Sequence, residues 1–389
     1  MEGSGTMPMA AVFALGVLAG RYGMAVLKSA GWARAKLLRT HQADGLTDYD
    51  PIDSVPLNLG TPSALGTWAN LGLWRRGDEG SGTYAQACER LTRAVAEAAL
   101  LCDDRDARAA HRHPLERNSP ASTRGGGSTS SLRLLDVGFG HGDELGYLAK
   151  AFAPASIVGV NACMAEVAAA RRRYGCDSGA ALQLGGQQSS ASLGSTRLTL
   201  LYGSATSLVE TVPLPGFDAV LCVDAAYHFR PSRAKFFAQA SSVLNDGGTL
   251  ALADICVAEG GAHGRAGFGW LLALLRRAAL ALACWASGVP IQNLVTVEEY
   301  RVQMEEAGFE SARVEVVGSE EGATRGCSVF GGFADFVPRQ QCAWARQTKP
   351  AAWSHARGAA AFCRWAERSK ALHFVIASAR LPALSPKVK

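Results

Sequence analysis

Residues 134–148 read LLDVGFGHGDELGYL: a short apolar run, glycine at 138, 140 and 142, then a stretch with helical spacing. A buried strand that passes through a bare turn into a helix is the opening unit of an open α/β sheet. The glycines let a ligand lie against the main chain, and the helix start offers free N–H groups and the positive end of a dipole. The spacing departs from the dinucleotide fingerprint G-x-G-x-x-G. The third glycine comes one residue early, and Asp143 stands in the expected place.

Six further apolar runs follow the first, LRLLDVG (132–138): SIVGVN (156–161), LTLLYG (198–203), DAVLCVD (218–224), TLALADI (249–255), SARVEVVG (311–318) and HFVIASAR (373–380). Between them ELGYLAKAF, CMAEVAAARRRYG and SRAKFFAQASSVL have helical periodicity. Seven strands with helices between the first five predict a doubly wound, seven-stranded Rossmann-like sheet, the last strands including an antiparallel pair. Ligands bind such sheets beyond the carboxyl ends of the strands, where the glycine turn lies.

Two stretches read as bland, disordered insertions: 103–131, nearly free of apolar residues, and more weakly 176–195. Residues 1–65 form an apolar and basic N-terminal segment, with five Lys/Arg and no acid from Arg21 to His41. Its apolar part, 7–27, is compatible with a membrane anchor, a mitochondrial presequence or a helix packed on the domain. The net charge of +5 is too mild to imply a nucleic-acid partner. Ten cysteines are scattered without C-x-x-C or zinc spacing, so they read as reduced thiols of a reducing, cytoplasmic setting, and no metal site is expected.

The glycine turn, preceded by Asp136 and followed in order by VGVN, YGSA, FDAVLCVDAAYHF and LNDGGTLALADI, resembles the class I S-adenosylmethionine-dependent methyltransferases over residues 66–380. NLGLW (70–74), AAYHF (225–229) and VFGGFADFV (329–337) carry a closer likeness to enzymes that methylate quinones, tocopherols, sterols and polyketide or glycoside hydroxyls. The resemblance implies S-adenosylmethionine as cofactor, its methionine part cradled by Asp136, Gly138, Phe139, Gly140 and Gly142. Asn70 and Trp74 match a cap motif, NLGYW, with Leu73 in place of its tyrosine. Asn161 and Ala162 follow the second strand, where relatives carry an acid for the ribose. Ser204 and Ala205 follow the third, where an Asp usually accepts from adenine, and Asp224 ends the fourth.

His228, just past the fourth strand, is the candidate general base, with Asp224 and Tyr227 as partners. Asp254, after the fifth strand, is a further polar group on the same rim, and His141 reads as part of the cofactor shell. The resemblance implies that residues 256–295 form a lid over the substrate; its core, 266–290, is charged only at Arg276 and Arg277, and TVEE (296–299) begins the next helix with a capping box. So apolar a lid suggests a small lipophilic acceptor or contact with a membrane surface, and a general base at His228 favours methylation on oxygen or carbon. A nicotinamide oxidoreductase and a non-catalytic cofactor-binding scaffold are the alternatives.

Overall fold

The computed structural model describes residues 55–59, 67–77, 82–100, 131–176, 189–258, 289–320, 322–344 and 353–383, and isolated positions 278, 280, 281 and 284. Residues 7–27, nearly all of the insertion at 103–131 and most of the segment 256–295 lie outside them. No helix among the described residues is long and apolar enough to cross a membrane.

In chain order the elements are β1 (Trp74–Arg75), α1 (Tyr84–Leu100), β2 (Arg133–Val137), α2 (Asp143–Phe152), β3 (Ser156–Asn161), α3 (Met164–Tyr174), β4 (Ser189–Leu193) and β5 (Thr196–Tyr202). There follow β6 (Phe217–Val223), α4 (Arg233–Val243), β7 (Leu244–Val257), α5 (Val297–Glu306), β8 (Glu310–Val316), β9 (Cys327–Ser328), α6 (Phe330–Trp344), α7 (Ser354–Ser369) and β10 (Leu372–Arg380). Eight strands form one sheet in the order β4-β5-β3-β2-β6-β7-β10-β8. The five from β5 to β7 are parallel, while β10 runs antiparallel to both β7 and β8.

All seven expected strands are present, and the eighth corrects the reading of 176–195 as linker. Ser189–Leu193 pairs antiparallel with β5 across a turn at Gly194, whose φ is 61°. Serines cover its solvent side while Ala191 and Leu193 pack on the core, so a composition that looks unstructured suffices for an edge strand. The strand before the lid also runs longer than its apolar run, through Val257.

Alternate residues of the parallel strands feed two apolar layers. Leu134, Leu221, Ala253 and Phe374 pack with Leu91 and Val95 of α1 and Leu145 and Leu148 of α2. Leu135, Val220, Leu252 and Val375 pack with Phe236 and Phe237 of α4 and Tyr300 and Met304 of α5. Helix α5 begins with the expected capping box: the Glu299 carboxylate accepts from Thr296 N–H at 2.8 Å, and Thr296 Oγ1 accepts from Glu299 N–H at 3.2 Å.

Two devices fix the site's surroundings. The β1–β9 clip brings NLGLW against VFGGFADFV, with the Trp74 ring 4.8 Å from that of Phe336 and stacked on Tyr84. Asp254 corrects a second expectation: it is wholly buried rather than on the rim, paired with Arg233 at 2.8 Å and accepting from Tyr300 Oη at 3.0 Å. Arg233 itself lies 4.0 Å over the Tyr300 ring.

Both devices are testable by thermal melting. A Cβ at Gly332 would drive into the Trp74 side chain, so Gly332→Ala should cost about 1–3 kcal/mol. Asp254→Ala leaves a buried guanidinium unpaired and should cost about 3–5 kcal/mol.

Candidate active site

The carboxyl ends of β2, β3, β5 and β6 converge beside the glycine turn. Gly138, Gly140 and Gly142 all have left-handed φ, at 90°, 55° and 91°. They are bare for different reasons. A Cβ on Gly138 would lie 2.8 Å from that of Ala225, and one on Gly142 would press on Tyr174 and Ala170. Only Gly140 faces open space, with Ala69 Cβ at 3.8 Å as the one neighbour. Phe139 turns its ring into the core against Gly159, leaving only its backbone at the site.

A strap of residues 67–72 crosses this turn and is latched by two carboxylates. Asp143 accepts from Thr67 Oγ1 at 2.5 Å and pairs with Arg173 at 2.8 Å. Asp224, itself at φ 58°, accepts from Leu71 N–H at 2.6 Å and Tyr227 Oη at 3.0 Å. Burial pushes the Asp224 carboxyl up to about 7, against both bonds. The remaining candidates of the strap serve its shape. Asn70 Oδ1 accepts from Gly72 N–H, its carbonyl accepts from Tyr84 Oη, and the buried Trp74 indole donates to the Leu71 carbonyl. Trp74 therefore bears on the site through Leu71, with its ring in the core.

Asn161 is likewise committed. Its Nδ2 donates to the Gly140 carbonyl at 3.2 Å and to Glu166 Oε2 at 2.8 Å, while Oδ1 accepts from Cys163 N–H. Ala162 beside it is half-buried. Glu166 in α3 was not singled out in the sequence; its Oε1 lies 3.9 Å from Nδ1 of His141, whose two ring nitrogens are buried with no hydrogen-bond partner among the described residues. Ser204 caps the short helical turn Ala205–Ser207, accepting from Thr206 N–H at 3.3 Å, and Ala205 is buried behind it. Its Oγ also lies 3.0 Å from Thr206 Oγ1.

At the floor, Asp136 is wholly buried, and neither carboxylate oxygen accepts from an N–H donor or hydroxyl among the described residues. Glu144, in the first turn of α2, faces it, and burial raises both carboxyls, Asp136 to about 7 and Glu144 further, through the charge of Asp136. No spacing argument singles out Glu144; only the turn of α2 onto the sheet brings it there.

His228 is exposed at the rim, on the helical turn Ala226–His228, its ring 4.4 Å from that of Tyr227. Asn293 props this turn from beneath, donating to the carbonyls of Tyr227 at 3.1 Å and Phe229 at 2.8 Å. The structure thus gathers the glycine turn, Asp136, Asp224 and His228 at one sheet edge. An anionic or hydroxyl-rich group can lie on Gly140, a cation over the carboxyls, and a proton-accepting imidazole stands beside them.

Residues 135–252 match the profile of a methyltransferase domain family. The fold is similar to that of a protein described as a sarcosine dimethylglycine methyltransferase from Galdieria sulphuraria (TM-score 0.57, 14% identity, 86% of this chain and 99% of that one). It is also similar to a cyclopropane synthase from Mycobacterium tuberculosis (TM-score 0.51, 15% identity, 86% and 99%). The chain therefore contains a methyltransferase domain of the class I, S-adenosylmethionine-dependent type. Among curated proteins it is 30% identical over 258 residues to erythromycin 3''-O-methyltransferase of Saccharopolyspora erythraea; the match covers 65% of each chain, so it spans about two thirds of that relative's length.

The three glycines should separate on substitution. Gly138→Ala and Gly142→Ala add collisions to backbone strain and should lower the melting temperature clearly. Gly140→Ala adds strain alone, about 1–2 kcal/mol, and should melt nearest to wild type.

Proposed function

We propose that this protein is an S-adenosylmethionine-dependent O-methyltransferase whose acceptor is a hydroxyl of a small, lipophilic molecule. The single observation behind this reading is the roomy main chain at Gly140 on the sheet edge that also carries a buried carboxylate without a donor, Asp136, and an exposed imidazole, His228. The residues fit the cofactor: Asp136 lacks the cation that an amino-acid ammonium would supply, and the bare main chain at Gly140 leaves room for its backbone-like end. The profile match and the O-methylating relative support the same reading.

Bound at this edge, S-adenosylmethionine supplies a methyl group already activated on a sulfonium. The chain's own residues then hold, shield and deprotonate. The strap at 67–72 keeps water from the carboxyls, latched by Asp143 and Asp224. Asn161 and Ser204, committed to the Gly140 carbonyl and to a helical turn, shape the nucleoside side. There the backbone N–H of Ala205 and the Glu166 carboxylate take over recognition. His228, aimed by Tyr227 and Asn293, accepts the proton of the acceptor hydroxyl. The apolar composition of 266–290 suits a lipophilic acceptor.

The test is a turnover screen with methyl-labelled S-adenosylmethionine against hydroxylated macrolide glycosides, quinols and sterols. Label in an O-methyl product is expected, and transfer to amines alone would sink the reading. His228→Ala should lower turnover by about 10²–10⁴-fold with little change in S-adenosylhomocysteine affinity. Gly140→Ala should weaken S-adenosylhomocysteine binding in a folded protein, because its methyl enters the ligand's space.

A further inference from the structure

The carboxyls beneath the strap outnumber the cations that face them. Asp136 from β2 and Glu144 from α2 are 0% and 6% exposed, and Asp136 as a carboxylate has no partner among the described residues; Glu144 Oε1 is in the same position. Asp224 at the end of β6 adds negative charge to Glu144, and its own bonds go to Leu71 and Tyr227. Asp143 is already matched by Arg173 of α3. The thiols of Cys88 in α1 and Cys222 in β6 are pushed up by burial and stay neutral. His141 faces Glu166.

Carboxylates left unpaired in a water-poor site are costly, and such groups hold a proton instead. Asp136 and Glu144 lie close enough to hydrogen-bond each other, and two carboxyls can do so only while one is protonated. A pair built only for packing would keep that proton permanently. The same turn carries Gly140, the one of its three glycines at which an added Cβ would meet nothing nearer than Ala69 Cβ at 3.8 Å.

We propose that Glu144 is a second cofactor-binding carboxylate, forming with Asp136 a joint receptor for the cofactor's ammonium, and that the pair releases its shared proton as the ammonium arrives. The O–H bond of the protonated carboxyl breaks, the proton goes to solvent, and the resulting dianion is neutralised in part by the ammonium. This deepens the methyltransferase reading and rests on it.

Isothermal titration with S-adenosylhomocysteine above pH 7, where Asp136 is ionised and Glu144 still holds the proton, in buffers of different ionisation enthalpy, should show nearly one proton released per ligand bound. 5′-Methylthioadenosine, with the same nucleoside and no ammonium, should release none. Affinity for S-adenosylhomocysteine should weaken as pH falls, about tenfold per unit wherever one proton leaves with each ligand bound. Glu144→Gln, which can donate to Asp136 permanently, should abolish the release and flatten the slope. Binding of S-adenosylhomocysteine without proton release overturns the proposal and leaves the cofactor assignment standing, as does an unchanged slope in Glu144→Gln. Failure of wild-type protein to bind S-adenosylhomocysteine anywhere between pH 6 and 9 overturns both. The wild-type comparison of the two ligands decides the matter even if Glu144→Gln does not fold.

Discussion

The bond between Asp224 and the Leu71 N–H, 2.6 Å long and spanning 153 residues of sequence, is the constraint on which the site depends. Asp224 ends β6 in a left-handed conformation, which turns its carboxyl back over the sheet edge. One oxygen takes the strap and the other takes the Tyr227 hydroxyl, whose ring aligns His228. A single carboxylate thus couples the strap to the turn that bears the candidate base. Charge-assisted bonds of this kind are strong only while shielded from water, and the strap that Asp224 holds is what does the shielding.

The back of the same turn rests on a different chemistry. Asn293 takes the carbonyls of Tyr227 and Phe229 and accepts from Arg233 N–H at 2.8 Å. Arg233 in turn is sealed between Asp254 and the Tyr300 ring. Fully buried polar networks have few alternative arrangements that leave every group partnered, so they rigidify what they touch. Asp254 contributes to the site by this route and has no surface on the cleft.

Polar residues near the cofactor edge divide between scaffolding and recognition. Asn161 and Ser204 spend their hydrogen-bonding capacity on the Gly140 carbonyl, Glu166, Cys163 and Thr206. Meanwhile Asp136, Glu144 and His141 are buried with unused capacity. An amide or hydroxyl costs little to fix in place, whereas an orphan carboxyl is tolerated only where a ligand or a proton answers it.

Much of this architecture was legible in one dimension. Strand runs such as LRLLDVG and DAVLCVD are apolar on both faces because parallel strands are covered on both sides, and TVEE announces its helix by a reciprocal cap that needs no tertiary partner. The glycine turn is also local, since positive φ at alternate residues excludes most side chains whatever lies around them. What the sequence could not disclose is where side chains at strand and helix ends point. Phe139 and Trp74 read as ligand contacts yet fill the core, and Asp254 read as a rim group yet closes an ion pair with Arg233. Ser189–Leu193 became a strand only because β5 offered an open edge. Glu144 and Glu166 entered the site because α2 and α3 set their first turns over the sheet. Such placements arise from packing between segments distant in sequence, and no local propensity encodes them.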